Sequence, residues 1–267
     1  MSGLELYFRM IGYSFLSQMQ YRASFIMMAV GNFVVTFIEF LGVWALFDRF
    51  GTIGGWTLPE VALFYGIVHV AFACSEAWSR GFDTFGRQVQ SGEFDRFLLR
   101  PRSIALQMLG QDFQLMRVGR ALQGLLVLFW AVRTLGIKWT LAKAVLLLGS
   151  IVGGCLLFSG LFVLQATMCF WTVETVQLAN TVTNGGVQTA QYPLSVYSKG
   201  LRNFFIFIIP LASVAYFPVV AILGKADPLG SPLWLQWASP LAGLAFFLVA
   251  IRVFAGFGVR HYCSTGS

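Results

Sequence analysis

The sequence predicts an all-α, polytopic membrane protein with six transmembrane helices, on two observations. The first is composition: 57% of the 267 residues are hydrophobic and only 11% are charged, and the mean hydropathy is +0.74, whereas a soluble domain carries about 25% charged residues. The second is that the apolar residues form long blocks, and a helix needs about 20 such residues to cross a hydrocarbon core. Because alternating short strands are absent from the sequence, helices are the expected spanning structure.

Six blocks reach spanning length and are expected to form one domain over residues 23–257. They are residues 23–47, 57–78, 104–132, 140–171, 203–223 and 233–257. The segments 1–22, 79–103, 172–202 and 258–267 hold ten lysines and arginines, against four in the loops on the other side. By the positive-inside rule, both termini are therefore expected in the cytoplasm, including the tail 258–267. The basic residues form no soluble patch with interleaved aromatics, so nucleic-acid binding is not expected.

Residues 1–22 precede the first block and are predicted to form an amphipathic helix at the membrane interface. Their apolar side chains recur at helical steps of three and four residues. They are Leu4, Phe8, Ile11, Phe15 and Met19. Such a helix lies in the plane of the interface and leads into the first span. A loosely ordered tail is the alternative.

The third and fourth blocks are longer than a crossing requires, so they are expected to tilt or to project beyond the bilayer. Arg117 and Arg120 in the third block are expected to reach the headgroups with their long side chains. In the fourth block Gly149, Gly153 and Gly160 line one helix face. Small residues let a second helix approach closely in lipid, so this pattern predicts helix packing.

The segments on either side of the fifth block contain helix breakers. Residues 172–202 are polar, and a helix over residues 172–183 is expected to be broken by Gly185 and Gly186. Residues 224–240, GKADPLGSPLWLQWASP, combine three prolines with two tryptophans, and tryptophan favours the membrane interface. An ordinary interfacial loop and a segment that re-enters the external leaflet both remain open.

Catalytic and metal-binding patterns are absent from the sequence. It contains no GxxxxGK[ST], HExxH or GxSxG motif, and its four cysteines show neither a disulfide nor a metal-ligand spacing. No catalytic residue and no metal site are expected. Glu39 and Glu76 lie within spans and should face protein or water. His69 and Glu76 share a helix face and would form either a proton or cation site or a packing contact.

Residues 80–102 form the longest charged loop of the predicted cytoplasmic side. Apolar residues at helical spacing before and after Gly92 predict one or two short amphipathic helices, which end at Pro101. These residues are Phe82, Phe85, Val89, Phe94, Phe97 and Leu98. Two roles are open on physical grounds. The helices would lie in the headgroups, or they would insert apolar residues into a partner's groove with charges at its rim.

The stretch GEFDRFLLRP at residues 92–101 resembles the cytoplasmic segment of permeases in the type-2 exporter class of ABC transporters. The later stretches FWTVET, YPLSVY, FFIFIIPLASVAYFP and LGKADPLG resemble the same family in the same order. The resemblance covers the chain from about residue 50 onward. It implies a six-span permease with an N-terminal interfacial helix and a cytoplasmic coupling helix, within residues 80–102, that contacts a separate ATPase.

The resemblance also implies roles for individual residues. Those expected to couple to the ATPase are Gly92, Glu93, Phe94, Asp95, Arg96, Phe97, Leu98, Leu99, Arg100 and Pro101. Among them Phe94, Phe97 and Leu98 are expected to form an apolar plug, and residues 82–90 are the alternative position of the coupling helix. The substrate path is expected along the second and fifth spans. Its candidate residues are His69, Phe72, Glu76, Ser213, Tyr216 and Phe217.

The function implied is that of a permease subunit of an ATP-driven exporter of a hydrophobic or amphiphilic compound, working by alternating access in a bacterial-type cytoplasmic (inner) membrane. ATP and Mg²⁺ would bind a cytoplasmic ABC ATPase, present in two copies, and no cofactor would bind this chain. A second permease, identical or similar, and membrane lipid would be its other partners. The alternatives are a channel or membrane assembly scaffold without its own energy source, and an intramembrane enzyme, for which no nucleophile or metal cluster is found.

Overall fold

The computed structural model describes residues 3–171 and 175–262, and helices make up most of this part of the chain. Residues 1–2 of the predicted N-terminal helix, residues 172–174 of the FWTVET stretch and residues 263–267 of the predicted tail lie outside the described residues. The helices are α1 (Gly3–Gln20), α2 (Arg22–Phe50), α3 (Leu58–Trp78), α4 (Arg80–Asp83), α5 (Phe85–Gln90), α6 (Asp95–Leu98), α7 (Ile104–Gln111), α8 (Val118–Leu135), α9 (Leu141–Met168), α10 (Thr175–Ala190), α11 (Lys199–Asn203), α12 (Tyr216–Leu223), α13 (Leu233–Ala238) and α14 (Leu241–Val253).

Five helical stretches among the described residues are long and apolar enough to cross a membrane. They are Arg22–Phe50, Leu58–Trp78, Leu115–Leu135, Leu141–Met168 and Leu241–His261. A sixth passes this test only if Lys199–Ile208 and Leu211–Leu223, which are separated by a sharp bend, are counted together. The predicted class, an all-α polytopic membrane protein, is confirmed.

The central helix of the bundle is α3. It packs between α8 and α9, and every one of its residues from Val61 to Ala73 is buried. By contrast, α2 packs against α8 along a narrow seam that buries only Thr36, Val43 and Phe47. Most of α2 is therefore available to lipid or to another protein.

Consecutive spans run in opposite directions, and this alternation defines two faces of the molecule. The N-terminal face carries α1, the short helices α4 to α7 and the carboxyl end of α9. The distal face carries the loops at residues 51–57 and 136–140.

The fifth crossing differs from the one predicted, because it is made by the polar helix α10. This helix continues through Gly185 and Gly186 to Ala190 instead of ending before them. It follows α9 on the N-terminal face, and the chain beyond it reaches the distal face at Ser195, whose Oγ accepts a 3.0 Å hydrogen bond from Trp56 Nε1. The chain therefore crosses between residues 175 and 195.

The predicted fifth span, residues 203–223, is instead part of a re-entrant pair of helical stretches, Lys199–Ile208 and Leu211–Leu223, which meet at an angle of 76°. The pair begins near the distal face, where Val196 packs against Gly54. It returns to the same face, where Lys225 Nζ donates a 2.8 Å hydrogen bond to the carbonyl oxygen of Gly55. The pair is apolar because it is inserted into the bundle, although it does not cross the membrane.

The predicted glycine face of α9 is confirmed as a helix-packing surface. A Cβ atom added at Gly153 would lie 2.5 Å from the carbonyl oxygen of Pro240, and one added at Gly160 would lie 2.8 Å from the ring of Phe246 in α14. Glycine is required where backbones approach this closely. The loop at residues 224–240 ends in this contact, so its last residue is inserted against α9.

Candidate coupling surface and polar membrane site

An aromatic cluster organises the N-terminal face where the short helices meet the ends of α9 and α14. Its members are Phe82, Phe85, Phe94, Phe170, Phe254 and Tyr262. The ring centroids of Phe85 and Phe94 are 5.0 Å apart, and those of Phe94 and Tyr262 are 4.8 Å apart, both in edge-to-face geometry. Aromatic pairs favour this arrangement. The cluster thereby joins residues 80–102 to two spans.

The burial of Phe94 corrects one predicted role. Phe94 is fully buried in the aromatic cluster, so it is not available as a plug for a partner. The apolar side chains that this segment presents outward are Leu98 and Leu99, which are 42% and 85% exposed. Phe97 is half-buried, and the guanidinium of Arg100 lies 5.3 Å from the centre of its ring. Leu98 and Leu99 thus form the exposed apolar tip of residues 92–101, which are called the coupling segment after the role predicted for them.

Both ends of this apolar tip are fixed by backbone and side-chain contacts. Gly92 adopts a φ of 71°, which glycine reaches without strain, and this turn separates α5 from α6. Gln107 Nε2 in α7 donates to the carbonyl oxygens of Phe97, at 3.3 Å, and Arg102, at 3.2 Å. The other predicted coupling residues surround the leucines. Glu93, Arg96, Arg100 and Pro101 are exposed, and Asp95 is half-buried.

A polar groove of about 480 Å³ adjoins the coupling segment on the same face. It is lined by Thr84, Arg87, Gln88, Ser91, Glu93, Gln111 and Asp112. Next to it, Arg80 forms an ion pair with Asp83, whose Oδ1 also accepts a 3.3 Å hydrogen bond from Gln165 in α9. Burial lowers the pKa of the Arg80 guanidinium, but an arginine remains charged at any physiological pH. These contacts connect α4 to the membrane domain.

Helix α1 is attached to this face by its polar side. Ser14 Oγ accepts a 3.2 Å hydrogen bond from the backbone N–H of Phe113, and Gln18 Oε1 accepts one of 3.0 Å from that of Leu115. On the other side of α1, Phe8 and Leu16 are exposed. A helix that faces outward with apolar side chains suits the membrane interface.

Glu76 joins α3 to the start of α8 through two arginines. Its carboxylate lies 3.2 Å from Arg117 Nη1 and 2.9 Å from Arg120 Nη1, and the three side chains are 11%, 14% and 17% exposed. Arg120 also lies over the ring of Phe72, at 5.2 Å. The sequence predicts that both arginines reach the headgroups. They instead form a largely buried ion triad, because Glu76 lies beside them.

The six candidate path residues are all buried within the chain, and the structure separates them into two groups. One group lies along α3 and the other in the re-entrant pair. The α3 group consists of His69, Phe72 and Glu76, and the re-entrant group of Ser213, Tyr216 and Phe217. His69 Nε2 lies 3.1 Å from Gln191 Oε1, just beyond α10, and the imidazole stacks on the ring of Tyr65 at 3.9 Å.

Contacts at the distal face hold the re-entrant pair in place. Tyr216 Oη donates a 2.6 Å hydrogen bond to Asp227 Oδ1. Burial alone would raise the pKa of Asp227, but hydrogen bonds from Ser231, Tyr216 and the backbone of Leu229 outweigh it and lower that pKa. Lys225 Nζ pairs with Glu60 at 3.0 Å. Together these contacts close this side of the bundle.

The polar surface of α10 was not predicted from the sequence. Thr181, Asn184 and Gln188 recur along one side of the helix and are exposed in the single chain, although α10 packs against α9 and α3. The low hydropathy of residues 172–202 argued against a span in this segment. The signal for a crossing was the length of chain between the fourth block and the Tyr-Pro at residues 192–193, which is long enough to cross the membrane.

The aromatic cluster gives a first test of the packing on the N-terminal face. Phe94→Leu is expected to lower the free energy of unfolding by about 1–2 kcal/mol, because it removes edge-to-face contacts with Phe85, Phe170 and Tyr262. The control is Phe129→Leu, at a position that is 60% exposed on α8. Reversible unfolding in mixed micelles measures both. Equal effects of the two substitutions would contradict the assigned role of Phe94.

Comparison with known proteins agrees with this architecture. A family model described as ABC-2 family transporter protein matches residues 33–266, which is nearly the whole chain. No curated protein and no solved structure gives a significant match. Among the described residues, no three His, Cys, Asp or Glu side chains lie together as a possible metal site. On the extent of the family match, the chain belongs to the ABC-2 family of transporter proteins and is a multi-pass membrane subunit of a transporter.

Proposed function

We propose that this chain is the permease subunit of an ATP-driven exporter in a bacterial-type cytoplasmic membrane, with its N-terminal face and both termini in the cytoplasm. A cytoplasmic ABC ATPase, in two copies, binds ATP and Mg²⁺. A second permease, identical or similar, completes the complex. The cargo is hydrophobic or amphiphilic, in keeping with the apolar, aromatic-rich bundle that borders its route.

The observation that supports ATPase docking most directly is the exposed apolar tip of the coupling segment. Leu98 and Leu99 are exposed, and charged residues surround them. Apolar anchors with a charged rim are the usual composition of a segment that docks into a groove on a partner. The polar groove beside Glu93 extends the same surface with further hydrogen-bonding groups.

The contacts behind the coupling segment support a route by which ATPase closure moves the spans. A push on Leu98 and Leu99 is transmitted through Gln107 to α7, and through Phe94 and the aromatic cluster to α9 and α14. Because side chains in this cluster are closely packed, the short helices move with the spans instead of bending separately. Such rigid-body motion of packed elements is a common basis of alternating access.

The exposed polar side of α10 provides a wall for the substrate path. Polar groups at membrane depth are costly against lipid, so this side faces water or a second permease. In this proposal the path runs along Thr181, Asn184 and Gln188, between two permeases. Of the candidate residues named from the resemblance, His69 lies behind that wall, where it contacts Gln191 just beyond α10.

The proposed docking is tested by co-purification from native membranes in mild detergent. Leu98→Asp combined with Leu99→Asp is expected to remove the ATPase that accompanies the wild-type chain, because an unpaired carboxylate is strongly disfavoured in an apolar groove. We expect affinity to fall by about a hundredfold or more, enough to lose a micromolar contact during purification. Bound proteins are identified by mass and by ATPase activity.

The matched control is Leu233→Asp, at a leucine that is 72% exposed on the distal face. It places the same charge on the opposite side of the membrane and should leave the ATPase bound. If no ATPase accompanies even the wild-type chain, a channel or scaffold without its own energy source becomes the better interpretation of this chain's function. If the ATPase remains with the double variant, docking occurs elsewhere on the N-terminal face.

A further inference from the structure

Glu39 is a carboxylate near the middle of α2, and it is only half-buried in the single chain. Around it α2 is apolar, with Phe37 and Ile38 exposed. Among the described residues, Glu39 forms no ion pair and no hydrogen bond. A charged group at the centre of a bilayer is expensive and normally faces protein or water. Something beyond the single chain therefore borders the Glu39 carboxylate.

The position of Glu39 relative to α3 and α10 shows which side of the bundle it serves. Glu39 is next to Phe40, whose ring centre lies 5.1 Å from that of Tyr65 in α3, and Tyr65 Oη donates a 2.7 Å hydrogen bond to the carbonyl oxygen of Thr36, about one turn before Glu39. Tyr65 stacks on His69, which contacts Gln191. Gln191 Nε2 in turn donates a 2.6 Å hydrogen bond to Gln188 Oε1. This series of contacts links the part of α2 that carries Glu39 to Gln188 on the polar surface of α10.

Glu39 differs from Glu76 in the cations that lie beside it. Glu76, in the part of α3 toward the N-terminal face, is paired with two guanidinium groups, those of Arg117 and Arg120. The exposed residues of α10 that follow the path are uncharged. Among the described residues, no cation forms an ion pair with Glu39, which lies near the middle of its span and not at its end. In a medium of reduced dielectric, such a charge attracts a cation much more strongly than it does in water.

We propose that Glu39 is an electrostatic recognition site for an organic cation, so that the exporter's cargo is a cationic amphiphile. This inference rests on the proposed function, because the site is completed by the space between two permeases. The cation's charge pairs with the Glu39 carboxylate, and its apolar body lies against the surrounding aromatic and aliphatic side chains. The uncharged polar groups of α10 supply hydrogen bonds without competing for the cation.

Two probes of nearly equal size and opposite charge test this proposal, tetraphenylphosphonium and tetraphenylborate. The intact complex, or the permease with whatever subunits purify with it, is placed in lipid nanodiscs. Binding is measured by equilibrium dialysis against empty nanodiscs. The wild-type protein is expected to bind tetraphenylphosphonium, and Glu39→Gln is expected to weaken this binding by about tenfold or more. Tetraphenylborate should show no corresponding loss.

Two further variants separate charge from shape. Glu39→Asp retains the carboxylate and should bind the phosphonium with nearly wild-type affinity. Asp48→Asn removes a carboxylate from an exposed position near the distal end of α2 and should change nothing. Equal phosphonium binding by the wild-type and Glu39→Gln proteins would overturn the proposal, and so would a preference of the wild-type protein for tetraphenylborate.

A measurement on the unmodified protein keeps the test decisive if Glu39→Gln does not fold. A hydrophobic carbodiimide reacts with carboxyl groups that are reached from the membrane, and mass spectrometry locates the modified residue. Tetraphenylphosphonium is expected to protect Glu39, and tetraphenylborate is not. Absence of modification at Glu39, or modification that the phosphonium does not reduce, would overturn the proposal.

The outcome is distinguishable from failure of the proposed function. Glu39 is remote from residues 92–101, so Glu39→Gln should retain any ATPase that accompanies the wild-type chain. Loss of cation binding with the ATPase retained supports recognition by Glu39. If an ATPase is bound but the protein binds tetraphenylphosphonium and tetraphenylborate equally well, the exporter proposal stands and the proposed class of cargo is wrong.

Discussion

Glu76→Gln is expected to lower the free energy of unfolding by about 3–5 kcal/mol, the range seen when one partner of a buried ion pair is removed. The carboxylate is the counter-ion shared by Arg117 and Arg120, and all three side chains are largely buried. Glutamine has nearly the same shape but carries no charge. Two guanidinium groups would then remain close together in a partly dry site, where neither has a counter-ion.

The control for this prediction is Glu5→Gln. Glu5 forms an ion pair with Arg9 on α1 at 3.0 Å, and both side chains are exposed. An exposed pair of this kind contributes at most about 0.5 kcal/mol, so the control should unfold as the wild-type protein does. Reversible unfolding in mixed micelles gives both free energies. If Glu76→Gln is no less stable than Glu5→Gln, the ion triad does not stabilise the bundle.

A triple substitution distinguishes the loss of an attraction from the exposure of uncompensated charge. Glu76→Leu, Arg117→Met and Arg120→Met together remove every charge of the triad while keeping its approximate volume. Apolar replacement of a complete buried ion cluster is often neutral or stabilising, by about 1–4 kcal/mol. The triple variant is therefore expected to recover much of the stability that Glu76→Gln loses. A triple variant that is as unstable as the single one would indicate that packing, and not charge, is responsible.

The sequence was sufficient to predict the class of fold and most of its spans, because long apolar blocks have few alternatives to transmembrane helices. It was not sufficient for the fifth crossing. Hydropathy indicates whether a segment lies in an apolar environment. It does not indicate whether the chain leaves the membrane on the opposite side. Residues 203–223 are apolar because they are inserted among α3, α9 and α10, whereas α10 is polar because one side of it faces away from lipid.

Helical periodicity was sufficient to identify the coupling segment as amphipathic but not to determine what its apolar residues contact. Phe94 and Leu98 lie one helical turn apart in sequence and belong to the same predicted stripe. In the structure Phe94 packs inside the aromatic cluster, while Leu98 is exposed. One of the rings that contact Phe94 is that of Tyr262, which is far away in sequence. A local pattern carries no information about such a partner. For the same reason, the pairing of Glu76 with Arg117 and Arg120 could not be predicted from the sequence.

The packing of α9 against α14, by contrast, was visible in the spacing of glycines, and it leads to a prediction for the last span. Gly243→Ala is expected to lower the free energy of unfolding by about 3 kcal/mol, at the upper end of the cost of overpacking. The added Cβ would lie 2.0 Å from the carbonyl oxygen of Gly153. A backbone atom cannot rotate away as a side chain can, so α14 must separate from α9 along its length.

Gly149→Ala is the matched control, because Gly149 is one turn from Gly153 on the same face of α9. A Cβ atom there would lie 3.8 Å from Pro240, an ordinary contact distance. Alanine favours a helix over glycine by about 1 kcal/mol, so this substitution should be neutral or stabilising. Unfolding in mixed micelles should therefore show a loss of stability for Gly243→Ala and no loss for Gly149→Ala, although both changes lie in one interface. Equal effects of the two would mean that α9 and α14 are farther apart than the structure places them.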